Sequence, residues 1–229
     1  MSHGAEKTRV PLLMRDRSFY HTFLILAGTL ILEQAVVLSV NLADNLMIGS
    51  YNETALAAVA AVNQIVFVVQ QVIYGVTNGV IVLSSQYWGK QQTAPIRRLV
   101  CLGLRLEAAL SMLFFAVVSL WPAQCVGLFV TDAAIIAEGV RYLRIEGAFY
   151  CGIGCLFLLY GLYRALGRPG MSVVLTVISL GTRVALAYLL SAIPAMGVTG
   201  IWWSVPIGWG LADLAGLLYY KAKKQALLF

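Results

Sequence analysis

Six apolar runs, each long enough to cross a bilayer, follow one another along this chain, separated by short polar or Pro/Gly-containing stretches. A helix needs about 20 apolar residues to cross a hydrocarbon core of roughly 30 Å. The runs cover Phe19 to Ile48, Thr54 to Gln86, Leu99 to Trp121, Tyr142 to Leu166, Ser172 to Leu190 and Ile201 to Tyr220. With 60% hydrophobic and 11% charged residues and a mean hydropathy of +0.84, no soluble domain fits. In lipid every backbone polar group must find a partner within the chain, so runs of this length form helices. The expected fold is all-α: a polytopic membrane protein of six transmembrane helices. The expected organisation is a basic arm over 1–17, a bundle over 18–220 and a basic tail over 221–229. Span 1 exceeds the bilayer thickness and must be tilted, bent or protruding.

The connecting segments carry detail. Pro122 ends span 3, and residues 123–139 form a loop that is partly helical. Gly167-Arg168-Pro169-Gly170 is a tight turn. Gly75 and Gly79 form a GxxxG, a general signal for close helix packing. Cys151 and Cys155 share a helix face and read as packing residues, with no metal-ligand spacing around them.

The charge of +6 reflects topology rather than nucleic-acid binding. Lys7, Arg9, Arg15 and Arg17 precede span 1. Lys90, Arg97 and Arg98 lie between spans 2 and 3, Arg164 and Arg168 between 4 and 5, and Lys221, Lys223 and Lys224 follow span 6. These are twelve of the sixteen Lys and Arg residues, and all fall on one side of an alternating six-span path. Both termini are expected in the cytoplasm and the protein in the plasma (inner) membrane. The polar, basic start and the long first run argue against a cleavable signal peptide.

Charges at membrane depth are costly and default to functional hypotheses. Glu33, Asp44, Arg105, Glu107, Glu146, Arg183 and Asp213 lie in or near the spans. Glu33 and Asp44 are eleven residues apart, three helical turns, so they share a face about 16 Å long with Asn41 near it. Two carboxylates and an amide on one face suit a pathway for cations or protons, which makes Glu33, Asn41 and Asp44 candidate coupling residues. Arg183 and Glu146 lie at matched depth in consecutive spans and are expected to form a structural ion pair. Glu107 and Asp213 are expected only to tie neighbouring helices together. Tyr150, Phe157 and Tyr160 fall on the Glu146 face by helical spacing and are candidates for an aromatic substrate cavity. No Walker A, Rossmann glycine, HExxH or GxSxG pattern occurs. An enzyme, a metal centre and an organic cofactor are therefore not expected.

Four stretches carry a family resemblance. Asn41-Leu42-Ala43-Asp44-Asn45-Leu46-Met47-Ile48-Gly49 resembles the first-helix signature of multidrug and toxic compound extrusion (MATE) transporters. Ser84-Ser85-Gln86-Tyr87-Trp88-Gly89 resembles the end of their second helix. Gly181-Thr182-Arg183-Val184-Ala185-Leu186-Ala187-Tyr188 and Gly200-Ile201-Trp202-Trp203-Ser204-Val205-Pro206-Ile207-Gly208-Trp209 resemble their last two helices. Family members have twelve helices in two lobes around a central cavity, and this chain has one lobe's worth. Its start, to Arg98, resembles the beginning of the first lobe; its later part, from Glu138, resembles the end of the second. It is similar to a half-length or internally deleted member. The resemblance implies efflux of organic cations or amphiphilic drugs by Na⁺ or H⁺ antiport, with Asp44 as a coupling group and Glu146 carried over as an outer-half carboxylate of the second lobe, which adds it to the coupling candidates. The family's fifth-helix Asn/Asp pair has no match in span 5.

The partners that follow are membrane lipid, a small cationic or amphiphilic substrate, and a second lobe, supplied by a homodimer or another chain. The alternatives are a truncated product that does not transport, or an accessory subunit of a full-length transporter.

Overall fold

A computed structural model describes residues 17–228 of the chain. The basic arm before Arg17 lies outside the described residues. Eight helices follow in order: α1 (Arg17–Tyr51), α2 (Glu53–Gly89), α3 (Thr93–Leu120), α4 (Pro122–Gly127), α5 (Ala133–Gly147), α6 (Tyr150–Ala165), α7 (Pro169–Ser191) and α8 (Val198–Leu228). No strand occurs among the described residues. Five helices are long and apolar enough to cross a membrane; α5 and α6, bent by 53° at a short break, make the sixth span. The protein is therefore a multi-pass membrane protein.

Span 4 is thus a broken helix that starts nine residues earlier than its apolar run. Asp132 sets the new start by capping α5, its Oδ1 accepting from the Ala134 and Ile135 amides. The break falls at Ala148-Phe149, where the chain closes short turns instead of continuing the ladder. Helix α8 runs on through the basic residues Lys221, Lys223 and Lys224 to Leu228.

Helix α1 is 35 residues long, yet its buried residues are Glu33, Asp44 and Ile48. It is fastened to α7 at three levels: Ser172 Oγ donates to Glu33 at 3.2 Å, Arg183 pairs with Asp44, and Tyr51 Oη donates to the Ser191 carbonyl at 3.1 Å. The sequence separations are 139, 139 and 140 residues, so α1 and α7 run parallel in constant register. Because α7 begins at Pro169, the stretch before Leu30 runs past its end by about 20 Å at 1.5 Å per residue. Span 1 therefore runs on beyond the start of α7.

The core centres on α6, most of whose side chains are buried against α2, α3 and α8. Small residues set these contacts. A Cβ on Gly161 would lie 2.6 Å from Ile81 Cγ1, and one on Gly208 would lie 2.6 Å from the Ser179 carbonyl oxygen. Gly75 and Gly79 have no neighbour within 4 Å of such a Cβ, so the GxxxG of α2 makes no close contact. Glu107 and Asp213 flank α6. Thr77 Oγ1 donates to Glu107 Oε1 at 2.7 Å, and Asp213 lies beside Gly152 and Cys155.

Candidate functional site

A cavity of about 410 Å³ opens between α1, α2, α5, α6, α7 and α8. Its volume lies within the roughly 300–1,000 Å³ of small-molecule sites. Glu33, Asn41, Asp44, Glu146, Phe157, Tyr160 and Arg183 all line it. Tyr150 does not. It is 1% exposed in the core, and its carbonyl accepts from Ser111 Oγ at 3.2 Å. The break after Gly147 resets the helical phase, so spacing counted from Glu146 does not carry into α6.

Three carboxylates reach the cavity, and their surroundings differ. Glu33 sits where the end of α6 meets the start of α7. One Arg164 nitrogen, Nη2, lies 2.6 Å from both of its oxygens, and Ser172 adds a third bond. Arg164 also lies 6.0 Å from the centre of the Tyr160 ring. Arg164, one of the basic residues of the 4–5 turn, is thus engaged at the cavity's edge.

Asp44 is 3% exposed, and Arg183 Nη2 reaches its Oδ2 at 2.5 Å. The expected Arg183–Glu146 pair is therefore replaced by Arg183–Asp44. Matched depth in consecutive spans does not make neighbours here, because the parallel register of α1 and α7 brings residue 44 to residue 183. The pair is not hydrogen-bonded in the usual way: neither Asp44 oxygen, nor Arg183 Nε, has a hydrogen-bond partner of good geometry among the described residues.

Glu146 is 3% exposed and forms no salt bridge within 4.0 Å among the described residues. Its neighbour one turn back, Tyr142, interacts with it and packs on Trp202 with ring centroids 5.4 Å apart. Glu146 Oε2 and Trp202 Nε1 are buried without hydrogen-bond partners among the described residues. Pro206 in α8 has no N–H, which leaves the Trp202 carbonyl without its intrahelical donor.

Aromatic rings and carboxamides complete the wall. Tyr74 stacks on Phe157 at 4.3 Å, with Tyr160 beyond at 6.3 Å. Gln34, Asn41 and Asn45 of α1 and Asn63 and Gln70 of α2 also line it, and all but Gln70 are exposed. Several of these residues escaped the sequence reading. Gln34, Asn41 and Asn45 recur at i, i+7 and i+11, and Asn63 and Gln70 at i and i+7, a helical-face signal that was available. Tyr142 precedes Glu146 by one turn, an equally legible pattern. Arg164 as the partner of Glu33 had no local signal, since 131 residues separate them. Among the described residues, no three His, Cys, Asp or Glu side chains gather to hold a metal ion.

A helical membrane protein with a charged, aromatic-lined cavity among its spans has the construction of a membrane carrier. The MatE family model matches residues 29–189, and the chain belongs to that family. It is 27% identical over 173 residues to the probable multidrug resistance protein NorM of Rhizobium meliloti (strain 1021), covering 73% of this chain and 36% of that protein. The outward-facing conformation of a multidrug resistance MATE family transporter of the MOP superfamily superposes with a TM-score of 0.87 at 18% identity, over 93% of this chain and 48% of that one. The MATE transporter ClbM in complex with Rb⁺ gives 0.78 at 20% identity, over 87% and 47%. These structural likenesses establish the fold. The chain spans less than two fifths of NorM's length and about half the length of the solved transporters.

Proposed function

We propose that the chain is one lobe of a cation-coupled exporter of organic cations or amphiphiles, and that Glu146 with Tyr142 takes the coupling Na⁺ or H⁺. One observation carries this reading. Of the three carboxylates on the cavity, Glu33 and Asp44 each hold a guanidinium and Glu146 holds none among the described residues. The cavity is thus one positive charge short. A buried carboxylate without a cation is too costly to stay ionised unless a proton or metal ion neutralises it. A related transporter was solved with Rb⁺, which fits a monovalent cation in this role. The rings of Tyr74, Tyr142, Phe157, Tyr160 and Trp202 beside an acidic group suit a flat or amphiphilic organic cation. In this reading Glu33 ties α1 to α6 and α7, and Asp44 acts together with Arg183.

The second half of the cavity wall comes from a second copy of the chain, related by a two-fold axis along the membrane normal. Supporting this is the exposed carboxamide face of Gln34, Asn41, Asn45 and Asn63. Primary amides turned to lipid lose hydrogen bonds that an aqueous cleft between two lobes would supply. Both termini lie in the cytoplasm, and the site is the inner membrane, as the basic segments suggest.

The test is resistance to cationic dyes in a host stripped of efflux pumps, with and without this chain. Protection by the chain, lost in Glu146→Gln at unchanged expression, is expected. Protection that survives Glu146→Gln would remove Glu146 from the coupling role. No protection by a well-expressed chain would count against transport by the homodimer.

A further inference from the structure

We propose that Arg183 is a tethered cation that exchanges partners, holding Asp44 while Glu146 carries the mobile cation and swinging to Glu146 when that cation leaves. The inference rests on the reading of Glu146 as the ion-binding carboxylate and adds what competes with the ion there.

The two ion pairs of α1 are built differently. Arg164 reaches both oxygens of Glu33, and Ser172 adds a third bond, so that pair is locked. Arg183 Nη2 meets Asp44 Oδ2 without a hydrogen bond of good geometry, and Arg183 Nε and both Asp44 oxygens are buried without hydrogen-bond partners among the described residues. The Arg183 stem is fixed: Gly208 of α8 brings its backbone to the Ser179 carbonyl and to Arg183 Cβ, where a Cβ on Gly208 would lie 2.6 and 3.4 Å away. The head is not fixed in the same way. It faces the cavity together with Asp44 from α1, Tyr142 and Glu146 from α5 and Trp202 from α8. Its charge acts on Glu146 and Tyr142 as well as on Asp44. An anchored stem whose head makes no well-formed hydrogen bond to Asp44, on a cavity lined by both Asp44 and Glu146, is a geometry in which the guanidinium can neutralise either acid but not both.

The consequence is a fixed charge count. Two carboxylates and one guanidinium leave room for a single monovalent cation per chain. When it departs, the site keeps a net charge of −1 wherever Arg183 sits, and movement of Arg183 to Glu146 shifts the uncompensated carboxylate from Glu146 on α5 to Asp44 on α1, so that loss of the ion is felt at α1. An ion that binds must displace the guanidinium, so ion affinity is set partly by how well Asp44 takes Arg183 back.

Cation stoichiometry tests this on the full chain in nanodiscs, read as bound ²²Na⁺ per chain and, in parallel, as protons taken up per chain by potentiometric titration. Wild type is expected to bind close to one cation and Glu146→Gln none. The double variant Glu146→Gln/Arg183→Gln is expected to recover a site, because Asp44 is vacated. Glu146→Gln/Arg183→Lys, which keeps a tethered charge, should stay at none. Asp44→Asn leaves Arg183 to Glu146 alone and should weaken cation binding on the order of tenfold or more. A folded double variant that still binds nothing overturns the exchange, as does Asp44→Asn with wild-type affinity. If the double variant does not fold, the Asp44→Asn arm decides. A Glu146→Gln chain that binds as wild type defeats the underlying ion-site assignment instead, and the exchange falls with it.

Discussion

At the residue scale, this protein is governed by where its few buried charges find partners. Removing one member of a dry ion pair costs about 3–5 kcal/mol, because the other charge is stranded. Arg183 and Asp44 are 18% and 5% exposed at their side chains, so their pair lies near that limit. Asp44→Asn and Arg183→Gln should each lower the thermal midpoint and folded yield, and together should cost clearly less than their sum. Glu33→Gln with Arg183→Gln should instead be additive, since the two sites share no contact. A double-mutant cycle followed by thermal unfolding in detergent checks both, and additive losses at Asp44 and Arg183 would reject the pairing. Loss of Arg164 should cost less than loss of Arg183, because its side chain is 26% exposed and water replaces part of what Glu33 provides. Asp44 and Glu146 were legible as candidates in the sequence, since an acid inside an apolar run is conspicuous. Their partners were not. Ion pairs between helices depend on which helices are neighbours and on their register, neither of which is local.

At the scale of elements, six spans could be counted from apolar length alone, but their internal breaks and contacts could not. The chain from Gly147 to Tyr150 holds no proline, and nothing in its local sequence announces a 53° bend. The bend seats α6 in the core while α5 turns Tyr142 and Glu146 into the cavity. Glycines mislead in a similar way. Gly75 and Gly79 of α2 match a packing motif and face open space, whereas Gly208 sits where α8 meets the backbone of α7. Gly208→Ala is expected to destabilise by about 1–3 kcal/mol, because backbone must move to admit the methyl group. Gly75→Ala and Gly79→Ala should be neutral or stabilise by up to about 1 kcal/mol through helix propensity. Thermal unfolding of the three variants separates the two kinds of glycine, and a destabilised Gly75→Ala would overturn the assignment of α2's open face.

At the scale of the whole molecule, the even number of spans places both ends of the bundle on one side. With the four cysteines replaced, a new cysteine at Asn52 or Ala195 should react with an impermeant maleimide added outside cells, and one at Gln91 should not. External labelling at Gln91 would invert the topology. For the homodimer, cysteines at Gln34 and Asn41, both exposed on the cavity side of α1, should cross-link between copies in native membranes. Cysteines at Leu113 on α3, which is exposed but does not line the cavity, should not. A chain that transports while remaining uncross-linked at α1 would rule out this dimer.

The sequence by itself determined the class: apolar runs of bilayer length force helices, since no other open backbone arrangement satisfies its polar groups in lipid. It also determined which side chains are expensive at membrane depth, and therefore where to look. Tertiary structure alone decided that Arg183 answers Asp44, that Arg164 answers Glu33, and that Glu146 has no cation partner among the described residues. The reason is physical. Burial cost is a property of a residue in its own run, whereas charge compensation is a property of distances of a few ångströms between helices far apart in sequence.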